Sequence, residues 1–203
     1  MTQNQIDGVI GFHGHHCPGL TFGMRVGDWT LREFGHAADE EIAAVVETDM
    51  CAVDAIQYLV GCTFGKGNLV FLDYGKNAYS FFRRSDGKSV RLVTRGGLLR
   101  DLREQQEKLN SNDTAGRELI RQQMIDRILQ ADFEEIFSIG SVQIPVPEIA
   151  RIHTSKRCDY CDELVMETRL LNDPVLTGGK NLCIPCRTVY RAEIDKNRQT
   201  FEH

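Results

Sequence analysis

The chain has 203 residues, 41% apolar and 26% charged, the balance of a soluble globular protein. Its formal charge of −5 excludes wholesale electrostatic capture of nucleic acid, and no apolar run approaches the roughly 18 residues that a membrane helix needs. The seven cysteines are odd in number and no basic-then-apolar leader is visible, which points to thiols and metal ligands rather than structural disulfides, and to the cytoplasm as compartment.

The first stretch that calls for a chemical explanation is Phe12, His13, Gly14, His15, His16, Cys17, Pro18 and Gly19. It holds three of the six histidines and one of the seven cysteines. His13, His15 and Cys17 alternate, so on an extended segment their side chains face one way. Pro18 and Gly19 open an amphipathic run at 20–34 that reads as a helix, and proline suits a first helical turn. Cys17 then falls at the helix N-terminus, where the dipole and free N–H groups favour a thiolate. Two imidazoles and an activated thiol suit a metal site or a nucleophile. The plainer alternative is a glycine-rich turn with exposed histidines.

Residues 42–47 read as a buried strand and 50–60 as an apolar helix that ends at Gly61. Thr48 and Asp49 are helix-capping types. Asp54 and Gln57 lie three apart on one face of that helix and require partners if it is buried. Cys51, on the same helix, suits the core or a pocket equally. The following Gly61, Cys62, Thr63, Phe64, Gly65, Lys66, Gly67 misses the phosphate-loop pattern, having three residues where four are needed and glycine after the lysine. It still offers Cys62 and Lys66 to a ligand, with Cys62 just after one helix as Cys17 is just before another.

Residues 69–74, 78–83 and 89–94 read as three strands, the last two joined by a turn containing Asp86 and Gly87, which suggests an antiparallel meander. Leu98, Leu99, Leu102 and Leu109, then Leu119, Ile120, Met124, Ile125, Ile128 and Leu129, form the apolar stripes of two further helices separated by a break at 110–116. Core packing or a dimer interface is the economical role for both. A short return segment covers 133–144, and Ile144, Pro145, Val146 and Pro147 read as a stiff linker. The first domain is therefore residues 1–147, an α+β fold in which helices pack on an antiparallel sheet.

Residues 148–203 form a second, small domain. Cys158/Cys161 and Cys183/Cys186 are two Cys-x2-Cys pairs separated by 21 residues, close to the structural zinc pattern. Four cysteines close a tetrahedral site and leave no position for substrate. With a hairpin expected at 164–175, extending to Gly178 and Gly179, and a helix at 187–193, this describes a treble-clef or ribbon-like zinc module. A redox dithiol pair and an iron–sulfur cluster are the competing readings. From 151 onward nine Lys/Arg face eight Asp/Glu, so stapling a small domain is simpler than clamping nucleic acid. Local clusters (Arg151, Lys156, Arg157; Arg187, Arg191) leave RNA, DNA or a protein partner open.

The 12–19 motif followed by Gly23, Met24 and Arg25 resembles the signature of the formylmethanofuran dehydrogenase E-subunit family. Residues 47–57 with 61–69 resemble its second block, and Asp73, Tyr74, Gly75 and Lys76 its third. The similarity spans about residues 8–145, and the four-cysteine module is similar to a zinc finger carried by some members. The resemblance implies an α+β core, a homodimer, and a metal-binding or catalytic pocket drawn from His13, His15, Cys17, Cys51 and Cys62, with Asp49, Asp54 and Gln57 nearby. The family's name derives from association with a molybdenum or tungsten enzyme, and nothing in this chain resembles a pterin-binding component.

Three functions follow. In the first, His13, His15, Cys17 and Cys62 bind zinc, nickel or iron in a metal-dependent enzyme or accessory protein, with Asp49 or Asp54 orienting an imidazole or acting as base and Lys66 pairing with an anionic substrate. In the second, Cys17 is a nucleophile or sulfur carrier with a histidine as base and Cys62 as resolving thiol. In the third, a metal sensor or regulator binds nucleic acid or a partner through its zinc module.

Overall fold

Thr2 starts the chain's first helix. Its side chain accepts from the backbone N–H of Gln5, and the Gln5 side chain returns the bond to the Thr2 N–H, a capping box. The helix, α1 (Gln3–His13), stops at Gly14, whose φ of 94° is left-handed. No helix is legible here from the sequence, since the segment buries only Val9 fully and its apolar stripe is thin. α1 also overturns the extended-segment reading of the histidine motif. His13 ends a helix, Cys17 caps the next one, and Gly14 turns the chain between them.

The computed structural model describes residues 1–190 and divides into two units, 1–150 and 151 onward. In the first unit, α2 (Pro18–Phe34), β1 (Ile42–Val46), α3 (Ala52–Val60), β2 (Leu69–Phe71), β3 (Ala78–Arg83), β4 (Ser89–Thr94), α4 (Arg100–Lys108), α5 (Thr114–Gln130), α6 (Phe133–Ile136) and β5 (Phe137–Gly140) follow in order. The sheet runs β2-β1-β3-β4-β5 and is antiparallel except for the β1–β2 pair, which is parallel. The fold class is thus α+β, as read. The meander is corrected at one strand: β2 does not pair with β3, because β1 lies between them. A helix, α3, connects β1 to β2, and a helical crossover returns the chain in parallel beside the strand it left. Residues 72–77 then cross the end of β1, where Lys76 N–H donates to the Glu47 carbonyl at 2.9 Å.

The core lies between this sheet and the helices and includes Val26, Ile56, Tyr79, Phe81, Leu92, Ile128 and Phe137. Leu119 and Leu129, expected on the apolar stripe of α5, are exposed, and Ile120, Met124, Ile125 and Ile128 alone are buried there. Glu47 and Arg91 bridge β1's end to β4 with two hydrogen bonds, at 2.7 and 2.8 Å.

Two glycines one helical turn apart set the packing of α2 on α3. A Cβ at Gly23 would lie 2.4 Å from the Ala52 carbonyl oxygen, and one at Gly27 would lie 2.7 Å from Leu59 Cδ1. Neither space exists for a side chain, so the helices approach at backbone distance. Their N-termini, and the cysteines there, are brought together by that approach.

In the second unit, β6 (Ser155–Arg157) pairs with β7 (Leu164–Met166), and β8 (Leu170–Asn172) with β9 (Asn181–Cys183). The expected single hairpin is two. A 3-10 turn, Glu167–Arg169, breaks the apolar run and sends one half to each. Residues 184–190 are helical. The remainder of the helix expected at 187–193, with Arg191 and His203, lies outside the described residues. The buried cluster is small: Leu182 with Cys158, Cys183 and Cys186.

Candidate metal centres

Among the described residues, two groups of side chains bring metal-ligand atoms together. In each, all of those atoms lie within 4.8 Å of one another. The first is Cys158, Cys161, Cys183 and Cys186, the four cysteines of the zinc pattern. Cys158 is 1% exposed, and burial alone would disfavour its thiolate. The backbone N–H groups of Cys161, Cys183 and Tyr160 outweigh that effect and bring the thiol down to about 6. The Cys183 N–H donates to its sulfur at 3.4 Å. A thiolate cradled by backbone N–H groups is the donor a closed metal site uses.

The second group is His13, Cys17 and Cys51, one from each of three helix ends. Cys17 is the N-cap of α2 and its sulfur accepts the Leu20 N–H at 3.4 Å. Cys51 is the N-cap of α3, and its side chain is free of any capping bond. Gly19 is the close approach between them: a Cβ there would stand 3.3 Å from Cys51 Cβ and 3.6 Å from its sulfur. Burial, then the hydrogen bond and charge of Cys17, push the Cys51 thiol up. Negative charge on two sulfurs this close is mutually repulsive, and a cation between them offsets that repulsion.

His13 completes the set. Its Nδ1 meets Asp54 Oδ2 at 2.7 Å, and its Nε2 is buried with no hydrogen-bond partner. Asp54 takes a second bond, from Gln57 Nε2 at 3.4 Å, and Gln57 Oε1 accepts the Phe64 N–H at 3.3 Å. The polar pair on the apolar helix thus has its partners: one imidazole and the loop after α3. A carboxylate holding one nitrogen of a histidine while the other is left for an ion is the usual outer arrangement of a metal site. With Zn–S near 2.3 Å, two sulfurs on one tetrahedral ion stand about 3.8 Å apart, so small side-chain shifts close the cluster on an ion.

His15 is exposed and its ring lies against that of His13, with centroids 4.6 Å apart, but it is outside the three-ligand group. Asp49 is exposed and unbonded to the three ligands. Two other expected site residues are placed elsewhere. Cys62 is fully buried in the main core, where its thiol donates to the Ile42 carbonyl at 3.4 Å and burial pushes it up to about 12. It packs with the β1 side of α3, not with Cys17. Lys66 donates to the carbonyls of Ala37 and Ala38, at 3.0 and 3.5 Å, and so ties down the loop before β1. The Cys62 reading rested on its helix end, and α3 has two: Cys51 is at the end that faces Cys17, and Cys62 follows the other.

One residue escapes the sequence reading. Arg121, on α5, donates to the His16 carbonyl and pairs with Glu118. His16 in turn meets Thr21 Oγ1 at 3.0 Å, and burial and then the Arg121 charge lower its pKa. A helix far along the chain thus anchors the turn between His13 and Cys17. No local signal could have shown it.

A family profile described as "FmdE, Molybdenum formylmethanofuran dehydrogenase operon" matches residues 12–138. The chain belongs to the FmdE family. Its two groups of cysteine and histidine side chains fit metal binding. A tungsten formylmethanofuran dehydrogenase FmdE-like protein from Syntrophus aciditrophicus shares the fold, with a TM-score of 0.60 at 23% identity, covering 91% of each chain. A probable S-adenosyl-L-methionine-binding protein of Archaeoglobus fulgidus is 30% identical over 94% of this chain. The match takes in 54% of that relative, so the chain spans about half its length.

Proposed function

We propose that this FmdE-family protein binds a transition metal in its core through His13, Cys17 and Cys51, and a structural zinc through Cys158, Cys161, Cys183 and Cys186. The observation that carries the core reading is His13: one nitrogen held by Asp54, the other buried and unpartnered beside two sulfurs. One nitrogen and two sulfurs suit a borderline or soft ion such as zinc, nickel or iron. Three protein ligands leave a coordination position open, whereas the four-cysteine site leaves none.

An ion held so supplies Lewis-acid activation of a bound water or carbonyl group. Asp54 fixes the tautomer and ring plane of His13, and Arg121 fixes the turn that carries it toward Cys17. His15, exposed beside His13, would be the side chain placed to exchange a proton with solvent. In this reading the protein is a metal-dependent enzyme or accessory of formylmethanofuran dehydrogenase-type metabolism, a cytoplasmic homodimer. S-adenosylmethionine binding is not carried over, because nearly half of the relative bearing that name lies outside the match. A second reading rests on the same geometry without metal: Cys17 as nucleophile, with Cys51, rather than Cys62, as its neighbouring thiol.

The deciding experiment is metal content per chain, by mass spectrometry, for wild type, Cys17→Ala, Cys51→Ala and Cys158→Ser. Loss of one equivalent in both core variants, and of a different one in Cys158→Ser, is expected. If the core variants keep all the metal of wild type, the core centre is wrong and the thiol reading takes its place.

A further inference from the structure

The geometry points to a binding cavity for a small organic carboxylate next to the core cluster, formed by Arg103, Thr94, Asn77 and Tyr79. The cavity has a volume of about 160 Å³, and its lining includes Pro18 and Gly19, which follow Cys17 in sequence, and Met50, which precedes Cys51. This rests on the core metal reading only for what the neighbouring Cys17 and Cys51 bind.

Every polar group on the lining can donate, and Arg103 can only donate, whereas Thr94, Asn77 and Tyr79 can also accept. Arg103, exposed to solvent at the rim, is the one charged residue on it, no carboxylate lines it, and among the described residues Arg103 forms no ion pair. The Thr94 hydroxyl is buried with no hydrogen-bond partner. A buried, unpaired hydroxyl costs free energy unless something arrives to bond it. Thr94 N–H donates to the Asn77 carbonyl at 2.9 Å, which sets those two residues side by side. Tyr79 is 1% exposed, and burial pushes its phenol well above the usual range, so it stays a neutral O–H. A guanidinium, a hydroxyl, an amide and a phenol on one small cavity match an acceptor-only anion, which a carboxylate is.

The remaining walls are apolar: Phe22, Met50 and Ala52. A cavity of roughly 150 Å³ holds a molecule the size of benzene, so the seat takes about six heavy atoms. A wider groove of about 410 Å³ continues from it, sharing Phe22, Asn77, Thr94 and Arg103. There Arg95, Arg100 and the shared Arg103 stand with Glu104 and Glu107, a lining that carries both signs of charge. The anion therefore belongs in the inner cavity, and the groove accommodates any longer tail.

The test is calorimetric titration of the full chain with linear monocarboxylates from acetate to hexanoate, and with the primary alcohols of equal length. Saturable carboxylate binding is expected, tightest near four carbons, with each alcohol roughly 10-fold weaker or more. Arg103→Gln should weaken carboxylate binding by roughly 10-fold, and Thr94→Val, which keeps the side-chain volume, by roughly 3- to 10-fold. Metal content measured on the same samples should not change in either variant. It reports separately on the core centre: carboxylates that bind a protein whose core is shown to hold no metal leave this inference standing and overturn the other. Absence of saturable binding, equal affinity for acids and alcohols, or unchanged affinity in both variants overturns the carboxylate site.

Discussion

The two candidate metal centres use the same kinds of ligand and are built in opposite ways. The four cysteines come from one stretch, residues 158–186, and the unit around them has, among the described residues, a single fully buried leucine and four three-residue strands. His13, Cys17 and Cys51 come from three helix ends, on top of a core that includes the whole of β1 and the buried faces of α2 and α3. In the first, an ion would supply the structure. In the second, packing supplies the site. The sharpest way to break this contrast is to remove the metal from each.

Cys158→Ser, or a strong chelator, should unfold the second unit and leave the first intact. Structural zinc in such modules accounts for about 10–16 kcal/mol of apparent binding free energy at neutral pH, far above what this small apolar cluster can replace. Amide hydrogen exchange resolved along the chain is the measurement. Expected is loss of protection confined to residues beyond 150, while Phe81, Leu92 and Ile128 keep theirs. Cys17→Ala should unfold neither unit. If it melts the core, the second centre is structural too and the contrast fails.

Next in size is an attack on the packing that builds the core centre. Gly23→Val drives a branched side chain into the Ala52 backbone, which cannot give way as a flexible side chain could. A destabilisation of about 3 kcal/mol is expected, at the upper end for overpacking, together with loss of the core ion and retention of the other. Gly11→Ala, on exposed α1 backbone with nothing within 4 Å of the new carbon, should instead stabilise by about 0.5–1 kcal/mol. Thermal melts and metal content on the two variants distinguish a packing effect from a general dislike of change in these helices.

The same contrast explains what can be read from the sequence. The four-cysteine centre is a spacing, and spacing is local, so the grouping of its four cysteines is legible. The strands Ala78–Arg83 and Ser89–Thr94 are legible too, because alternation and an Asp-Gly turn are local signals. The order of the sheet is only partly so: pairing β2 with β1 depends on which way a crossover helix returns. In the core centre, His13, Cys17 and Asp54 stand out by type. Cys51 could not be chosen over Cys62, because only the close packing at Gly23 and Gly27 decides which end of α3 meets the N-terminus of α2. Arg121 carries no signal at all until α5 packs.

Asp54→Ala tests the step from packing to chemistry. The carboxylate orients His13 without being a ligand, so its loss should leave the fold nearly unchanged and lower core metal affinity by about 10- to 100-fold. Competition with a chromophoric chelator measures it. An unchanged affinity would mean that the Asp54 bond is an ordinary ion pair and that His13 is held by its helix alone.

The smallest expected effect is also the most discriminating, because it compares two cysteines flanking one helix. Cys51→Ser should abolish the core equivalent, since a neutral hydroxyl is a poor substitute for a thiolate toward a borderline ion. Cys62→Ser should leave metal content untouched. Its hydroxyl can still donate to the Ile42 carbonyl, so the cost is the burial of a more polar group, about 1 kcal/mol, visible only as a lower melting temperature. The two thiols carry the same local signals in sequence, each beside an end of the same apolar helix. If both substitutions remove metal, the placement of Cys62 in the apolar core is incompatible with its role. If only the first does, then helix packing, not the presence of a cysteine at a helix end, is what makes a ligand in this fold.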